Sequence, residues 1–140
     1  MATISVEGFP RAQHVFVYGT LVDPRRLDEV LGHRHAGERL RACLSGYERR
    51  SSPAFAYPFL VAQPHAKTDG VLVMDLSPED IRTLDDFEEV DRGVYLRMDV
   101  DVEAWGCGPT PWRVAAQTYV AGPALLEQLA ARSAERSTCG

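Results

Sequence analysis

The chain has 140 residues, of which 45% are hydrophobic and 25% are charged, a composition typical of one globular domain and not of a disordered chain. Its 15 basic and 20 acidic residues give a formal net charge of −5, which argues against nucleic acid as a partner. The sequence has no apolar run of about 20 residues and no secretory N-terminus, so we expect one cytoplasmic domain over residues 1–140, away from membranes. Three scattered cysteines, Cys43, Cys107 and Cys139, predict neither a disulfide framework nor a zinc site.

The N-terminal part of the chain predicts a buried strand followed by a short helix. Residues Val15–Tyr18 are apolar, β-branched or aromatic, and this run stops at Gly19. Asp23 followed by proline is typical of the first turn of a helix, and Gly32 is typical of a helix end. The sequence therefore places a strand, a glycine turn and a helix in succession.

Five more segments have the pattern of strands, which makes about six in all. Their approximate bounds are 39–44, 57–63, 70–76, 94–103 and 112–120. The polar segment Pro64–Asp69 predicts a turn between the second and third of these. In the segment 94–103 the even-numbered residues are apolar and the odd-numbered residues are mostly polar, so we expect the even-numbered side to face the core.

Two further helices complete the pattern, with a core over about residues 14–121. Ser77 followed by proline and two acidic residues is a strong helix start. A last amphipathic helix over about residues 123–134 precedes a polar tail at 135–140. With only three short helices among about six strands, we expect a closed or nearly closed, mostly antiparallel sheet and not a doubly wound one.

Glu88 lies along the apolar side of the helix that follows Ser77. At about 100° per residue from Ile81, Leu84 falls at about −60°, Glu88 at about −20° and the solvent-facing Asp86 at about +140°. Burial, the negative end of the helix dipole and the surrounding acidic residues would each raise the pKa of Glu88 toward that of a general base at neutral pH. A helix that ends one or two residues earlier leaves Glu88 as an exposed loop carboxylate instead, and both interpretations stay open.

A second candidate site is the turn Tyr18-Gly19-Thr20-Leu21. A glycine turn between a strand and a helix can direct consecutive backbone N–H groups at an anion, although glycine after a strand is also a common plain turn. Tyr95 follows Glu88 by seven residues, so a tight turn could bring the two together. The four histidines have no spacing typical of metal ligands, and we expect no metal site.

Five motifs in this chain resemble those of the γ-glutamylcyclotransferase-like proteins, in particular the branch that contains γ-glutamylamine cyclotransferase. In chain order, between Val15 and Val120, they are Val15–Leu21, Tyr57-Pro58, Gly70–Leu72, Leu84–Glu88 and Tyr95–Arg97. The resemblance implies an α+β fold, a small β-barrel flanked by short helices. It also implies a cofactor-free enzyme that converts a γ-glutamyl amide into 5-oxoproline and an amine.

The resemblance assigns roles to individual residues. Glu88 becomes the catalytic acid/base, the backbone amides of Tyr18, Gly19, Thr20 and Leu21 hold the γ-glutamyl moiety, and Tyr95 lies near the pocket. Two positions depart from the family pattern: Val22 stands where many members have a basic residue, and Glu89 where many have glycine.

The partner is then a small-molecule γ-glutamyl substrate, and the protein is expected to be a monomer or a weak homodimer. Residues 54–59 and 106–111 are expected to form the rim that selects the leaving amine. Two other functions stay open: a catalytically silent module that binds a small carboxylate or amide, and an acidic adaptor surface over residues 79–91, which hold seven acidic residues and one arginine.

Overall fold

The computed structural model describes residues 13–53, 55–106 and 108–138, which form a closed five-stranded barrel with three α-helices. The strands are β1 (Gln13–Val17), β2 (Arg39–Ser52), β3 (Phe55–Leu76), β4 (Tyr95–Trp105) and β5 (Trp112–Ala121). The helices are α1 (Pro24–Leu31), α2 (Pro78–Phe87) and α3 (Pro123–Thr138), with 3₁₀ turns at Thr20–Val22 and Val90–Arg92. The strand order is β1-β3-β2-β4-β5, and every neighbouring pair is antiparallel except β1 with β5. The predicted α+β, mostly antiparallel barrel is confirmed.

Local sequence explains where the first two helices begin. The Asp23 carboxylate accepts a hydrogen bond from the backbone N–H of Arg25, and α1 ends at Gly32 as predicted. At α2, Ser77 Oγ accepts from the N–H of Asp80, and the Asp80 carboxylate accepts from the N–H of Ser77. This capping box satisfies N–H groups that the helix itself leaves unpaired, so both helix starts follow from short polar side chains.

The predicted turn at Pro64–Asp69 is wrong, because β3 runs without interruption through it. Ser45 of β2 pairs with Lys67, whereas Tyr47 pairs with Ala62, so β3 carries extra residues at this point and Pro64 has no register partner on β2. A residue without an N–H is tolerated where the strand makes no ladder bond. Two predicted strands are therefore one, and the barrel has five strands instead of about six.

The alternation in β4 holds in its second half and is wrong in its first half. Val102 is buried as predicted, but Leu96 is 39% exposed, Met98 is 40% exposed and Tyr95 is only 4% exposed. Side chains of α2 pack in the same cluster as Tyr95, so the face expected to be polar and solvated is covered there by a helix. Period-two patterning reports only which face is less polar, and not which face another element covers.

The last helix is longer than predicted. It continues to Thr138 instead of ending near residue 134, so most of the expected polar tail is helical. The residues that extend it include glutamate and arginine, which are good helix formers. Cys139 and Gly140 lie outside the described residues, as does Cys107, whereas Cys43 is a free, partly buried thiol. Over the described ranges, no helix has the length and apolar character that a bilayer span requires.

The buried apolar side chains form two clusters, one inside the barrel and one between the sheet and the helices. The inner cluster includes Phe16, Leu44, Leu60, Leu72, Val102 and Ala104. The outer cluster includes Val15, Val17, Leu27, Ile81, Leu84 and Leu125. Because successive side chains of a strand point to opposite faces, the short strand β1 contributes to both clusters. The end of β1 is therefore fixed from two sides.

The barrel closes between β1 and β5, and we call this junction the β1–β5 seam. The two strands share one parallel register pair. Two side-chain hydrogen bonds also cross the seam: Thr118 Oγ1 donates to the Phe16 carbonyl at 2.9 Å, and the Tyr18 hydroxyl donates to the Tyr119 carbonyl at 2.6 Å. Side chains therefore supply much of the closure that ladder bonds supply elsewhere in the barrel.

Candidate active site

A cavity of about 450 Å³ opens beside the seam, between the C-terminal end of α2 and the start of β4. It brings together all six site residues proposed from the sequence, which are Glu88, Tyr18, Gly19, Thr20, Leu21 and Tyr95. The aromatic and apolar side chains of Tyr57, Pro58, Phe87 and Tyr119 complete much of the wall. A concave, mostly apolar site with a few polar groups is typical of small-molecule binding.

The turn after β1 forms one edge of the cavity. The backbone N–H of Val22 donates to the Gly19 carbonyl at 3.1 Å and closes a 3₁₀ turn. The N–H groups of Thr20 and Leu21 come before the first bond of this turn, so the turn itself offers them no partner. A Cβ on Gly19 would lie 2.9 Å from Pro58 Cγ, which explains why glycine stands here. The turn can therefore present backbone donors to an anionic group.

Glu88 occupies the C-cap of α2. The helix ends at Phe87, as the loop alternative required, but the N–H of Glu88 still donates to the Leu84 carbonyl at 2.9 Å. That bond continues the helical hydrogen-bonding pattern by one residue. The Glu88 carboxyl therefore lines the cavity, as expected if the helix extended to this residue. Burial raises the pKa of Glu88 to about 7.

A tight turn joins Glu88 to Tyr95. Glu89 has the left-handed backbone angles φ +52° and ψ +45°, and Gly93 ends the following 3₁₀ turn with φ +74°. The Glu89 carboxylate accepts a hydrogen bond from Arg92 at 2.8 Å. The left-handed region is unfavourable for a residue with a side chain, so the chain is strained beside its candidate base.

Three tyrosine hydroxyls around the cavity donate to fixed acceptors. Besides Tyr18 at the seam, Tyr95 donates to the Pro58 carbonyl at 2.8 Å, and Tyr119 donates to Asp85 Oδ1 at 2.7 Å. Burial raises the pKa of all three tyrosines above the ordinary value. They keep their protons at neutral pH and act as walls, which leaves Glu88 as the lining group suited to proton exchange near neutrality.

Sequence reasoning did not single out Asp85 or Tyr119. Asp85 lies 3.1 Å from Arg97 Nε as well as accepting from Tyr119, so it ties the last turn of α2 to both β4 and β5. A signal for Asp85 was available, because it falls at about +40° from Ile81 on the same side of α2 as Glu88. Tyr119 had no comparable signal, since its place in the wall depends on which strands are neighbours.

The predicted rim is half correct. Tyr57 and Pro58 line the cavity, whereas no described residue of the 106–111 turn does so. That turn follows Trp105 at the far end of β4, about 30 Å along the strand from Tyr95 at about 3.3 Å per residue. The described residues of that turn therefore lie away from the cavity.

The charge of the lining is negative. It includes Glu88 and Glu89, and none of its described members is lysine, arginine or histidine. Among the residues for which the structure is described, no group of three or more His, Cys, Asp or Glu side chains is arranged to hold a metal ion. The chemistry that the site can supply from its own residues is therefore proton transfer by a carboxyl and hydrogen bonding by backbone amides.

Comparisons with known proteins place most of this chain in one family. The family model described as "Gamma-glutamyl cyclotransferase, AIG2-like" matches residues 15–137. Two Arabidopsis thaliana relatives, Protein AIG2 C and AIG2-like protein C, are 27% identical over 93 residues and 28% identical over 109 residues. These matches cover 66% and 78% of this chain, but the chain spans only 53% and 59% of the relatives' lengths.

Solved structures share the fold. A solution structure of an Arabidopsis thaliana protein has a TM-score of 0.66 and 23% identity, and the match covers 96% of this chain and 82% of that one. A gamma-glutamyl cyclotransferase structure has a TM-score of 0.64 and 15% identity, covering 79% and 67%. An AIG2-like protein from Mus musculus has a TM-score of 0.59 and 24% identity, covering 83% of each chain. Because the family model covers nearly the whole domain, the chain belongs to the AIG2-like gamma-glutamyl cyclotransferase family.

Proposed function

We propose that this protein converts a γ-glutamyl amide into 5-oxoproline and a free amine, with Glu88 as general acid/base. The observation that carries the proposal is the partly buried Glu88 carboxyl, which lines the same cavity as a turn of backbone donors. Burial raises the pKa of Glu88 to about 7. Family membership supports the reaction class.

The reaction moves two protons from the α-nitrogen of the substrate to the departing nitrogen. Glu88 takes a proton from the substrate's α-ammonium group, whose pKa is ordinarily about 8. The free amine nitrogen then attacks the γ-carbonyl carbon and closes a five-membered ring. The ring nitrogen gives up a second proton, the amide C–N bond breaks, and Glu88 delivers a proton to the departing nitrogen, which leaves as an amine and ends as an ammonium ion after taking up the other proton. A base whose pKa lies close to that of the ammonium group can serve in both directions at neutral pH.

The site must also hold the substrate in a conformation in which its α-amine can reach its γ-carbonyl. In this proposal the N–H groups of Thr20 and Leu21 bind the α-carboxylate, so that the α-amine lies beside the γ-carbonyl. Holding two reacting groups at van der Waals distance can lower a barrier by several kcal/mol without covalent catalysis. Tyr18, Tyr95 and Tyr119 support this role as walls, because their hydroxyls are engaged with protein acceptors.

The test is release of 5-oxoproline, measured by mass spectrometry, from a panel of γ-glutamyl amides and γ-glutamyl amino acids. We expect Glu88→Gln to lose about 10²–10⁴-fold in kcat, since the amide cannot accept the proton. Asp86→Asn is the matched control, because Asp86 is an exposed acid two residues away, and it should retain activity. Wild-type turnover should fall as pH drops through about 7, where Glu88 becomes protonated.

Two outcomes would contradict the proposal. Full activity in Glu88→Gln would remove the assigned base. Stabilisation of the wild type by 5-oxoproline with no turnover of any panel member would instead identify a binding module.

A further inference from the structure

The C-terminal end of α2, which carries Glu88, is electrostatically unfavourable on its own. Four acidic residues follow Leu84 almost without interruption, and the last turn has no basic residue; the four are Asp85, Asp86, Glu88 and Glu89. A helix C-terminus carries the negative end of the helix dipole, and like charges three or four residues apart repel one another. A cation supplied from outside the helix would therefore stabilise this turn.

Strand β4 supplies that cation. Arg97 Nε lies 3.1 Å from Asp85 Oδ1, and the two side chains of this ion pair are 28% and 23% exposed. The pair of Arg92 with Glu89, at the same end of α2, is 72% and 46% exposed. Solvent and salt screen an exposed pair more strongly than an enclosed one, so the Arg97 pair is the one that contributes more to holding the turn.

Arg97 is itself fixed from its other side. Its Nη1 donates to Gln117 Oε1 at 2.9 Å, and Gln117 Nε2 donates to Asp99 Oδ1 at 3.1 Å. Arg97 lies directly opposite Tyr119 in the β4–β5 register, and the Tyr119 hydroxyl donates to the same Asp85 oxygen at 2.7 Å. Two neighbouring strands therefore hold one carboxylate of α2 between them.

We propose that Arg97 is a positioning residue for the reaction: acting through Asp85, it holds the last turn of α2 where Glu88 faces the cavity. This inference rests on the proposed cyclotransferase function. Glu88 follows Asp85 by three residues, and its N–H bond to the Leu84 carbonyl joins it to the same turn. Arg97 is not among the described residues that line the cavity, so its effect passes through the helix and not through contact with the substrate.

The effect of Arg97 is expected on the rate of the chemical step more than on substrate binding. The proposed binding donors are the backbone N–H groups of Thr20 and Leu21, which belong to the turn after β1 and not to α2. A general base must lie within hydrogen-bond reach of the proton that it removes, and a displacement of about 1 Å can cost on the order of 10²-fold in rate. A loosened end of α2 should therefore lower kcat and leave KM nearly unchanged.

The test measures kcat and KM in Arg97→Gln, Arg97→Lys and Arg113→Gln, with the panel substrate that wild type turns over fastest. We expect Arg97→Gln to lose about 10–100-fold in kcat, with KM within about threefold of wild type. Arg97→Lys keeps the charge but not the planar fork that reaches Asp85 and Gln117 together, so it should recover part of the loss. Arg113→Gln is the matched control, because it removes an exposed ion pair with Asp101 between the same two strands, and it should keep the wild-type kcat.

A double-mutant cycle tests the route through Asp85. Asp85→Asn removes the charge beside Arg97 and keeps an acceptor for the Tyr119 hydroxyl. Adding Arg97→Gln to Asp85→Asn should lower kcat by less than about threefold, well below the loss that Arg97→Gln causes in wild type. Each rate is measured below the unfolding transition of that variant, so that a loss of stability is not counted as a loss of rate.

The outcomes separate this inference from the function on which it rests. A wild-type kcat in Arg97→Gln, a loss confined to KM, or a loss that Arg113→Gln shares would overturn the positioning role and leave the cyclotransferase intact. Equal losses in the two backgrounds would overturn the route through Asp85. Should Arg97→Gln fail to fold, a wild-type kcat in Asp85→Asn would overturn the role instead. No 5-oxoproline from wild type with any panel member would overturn both proposals.

Discussion

A charged carboxylate in the wall of a cavity lowers the stability of the fold. The native protein holds the Glu88 proton more tightly than the unfolded chain, because burial raises the pKa from 4.5 to about 7. The contribution of this group to stability is complete below pH of about 4.5 and is lost as pH rises through about 7. The burial that suits Glu88 to the proposed role of a base therefore lowers the free energy of unfolding at neutral pH.

Glu88→Gln should stabilise the protein in alkaline solution while abolishing turnover. We expect the free energy of unfolding at pH 8 to increase by about 1–3 kcal/mol over wild type, with the difference shrinking toward pH 4. Urea denaturation at the two pH values measures it. Asp86→Asn should show no such pH-dependent gain, and a Glu88→Gln protein no more stable than wild type at pH 8 would show that the carboxyl does not lose solvation on folding.

Glu89 offers a second test at the same scale, because its backbone angle and not its side chain is the unusual feature. Glu89→Gly relieves the left-handed conformation, which costs a non-glycine residue about 1–2 kcal/mol, and loses only the exposed contact with Arg92. We expect a net gain of about 0.5–1 kcal/mol in thermal or urea unfolding. Glu89→Ala loses the same contact without relieving the angle, so a gain of equal size in Glu89→Ala would contradict the explanation.

Among the elements, α2 carries the candidate base, and its last turn is held by Asp85. Asp85→Ala leaves the Tyr119 hydroxyl without its acceptor, and we expect a loss of about 1–3 kcal/mol in the free energy of unfolding. Asp85→Asn keeps an acceptor oxygen and should lose less. In a double-mutant cycle, Asp85→Ala with Tyr119→Phe should cost less than the sum of the single changes. Additive effects would show that the two residues act independently.

The elements predicted correctly are those whose ends are set by neighbours in sequence. Asp23 and Ser77 begin helices through hydrogen bonds to N–H groups two or three residues on, so the sequence alone contains the necessary information. The bounds and burial of the strands could not be predicted in the same way, because they depend on contacts between distant parts of the chain. Pro64 lies inside a strand because β3 carries extra residues there that have no register partner on β2. Tyr95 is buried because it packs with side chains of α2. Both facts depend on residues far away along the chain.

At the scale of the whole molecule, the site is assembled from four separate parts of the chain. The motifs that carry the family resemblance cover three of them, around residues 16–21, 57–58 and 87–95. The fourth, Tyr119, belongs to an ordinary strand segment and enters the wall only because β5 closes the barrel against β1.

The β1–β5 seam makes a prediction about global stability. Thr118 is fully buried and donates across the seam, so Thr118→Val keeps the shape but leaves the Phe16 carbonyl without this donor. We expect a loss of about 1–3 kcal/mol in the free energy of unfolding. Thr83→Val removes a comparable bond to Glu79 on the surface of α2 and should change stability by less than about 0.5 kcal/mol. Equal losses of stability in the two variants would show that the hydrogen bond across the seam contributes no more than the one on the helix surface.

The same seam has a consequence for synthesis. Tyr18 and Tyr119, which meet across it, are 101 residues apart in sequence. At typical translation rates β1 therefore waits on the order of 5–20 s for its last neighbour to be made, and contacts of such long range form late in folding as well. Until β5 arrives, the chain contains Glu88 and the turn at Gly19 but has no wall at Tyr119 and no cavity between them. A ligand for this cavity would accordingly recognise finished molecules and ignore ribosome-bound or C-terminally truncated ones.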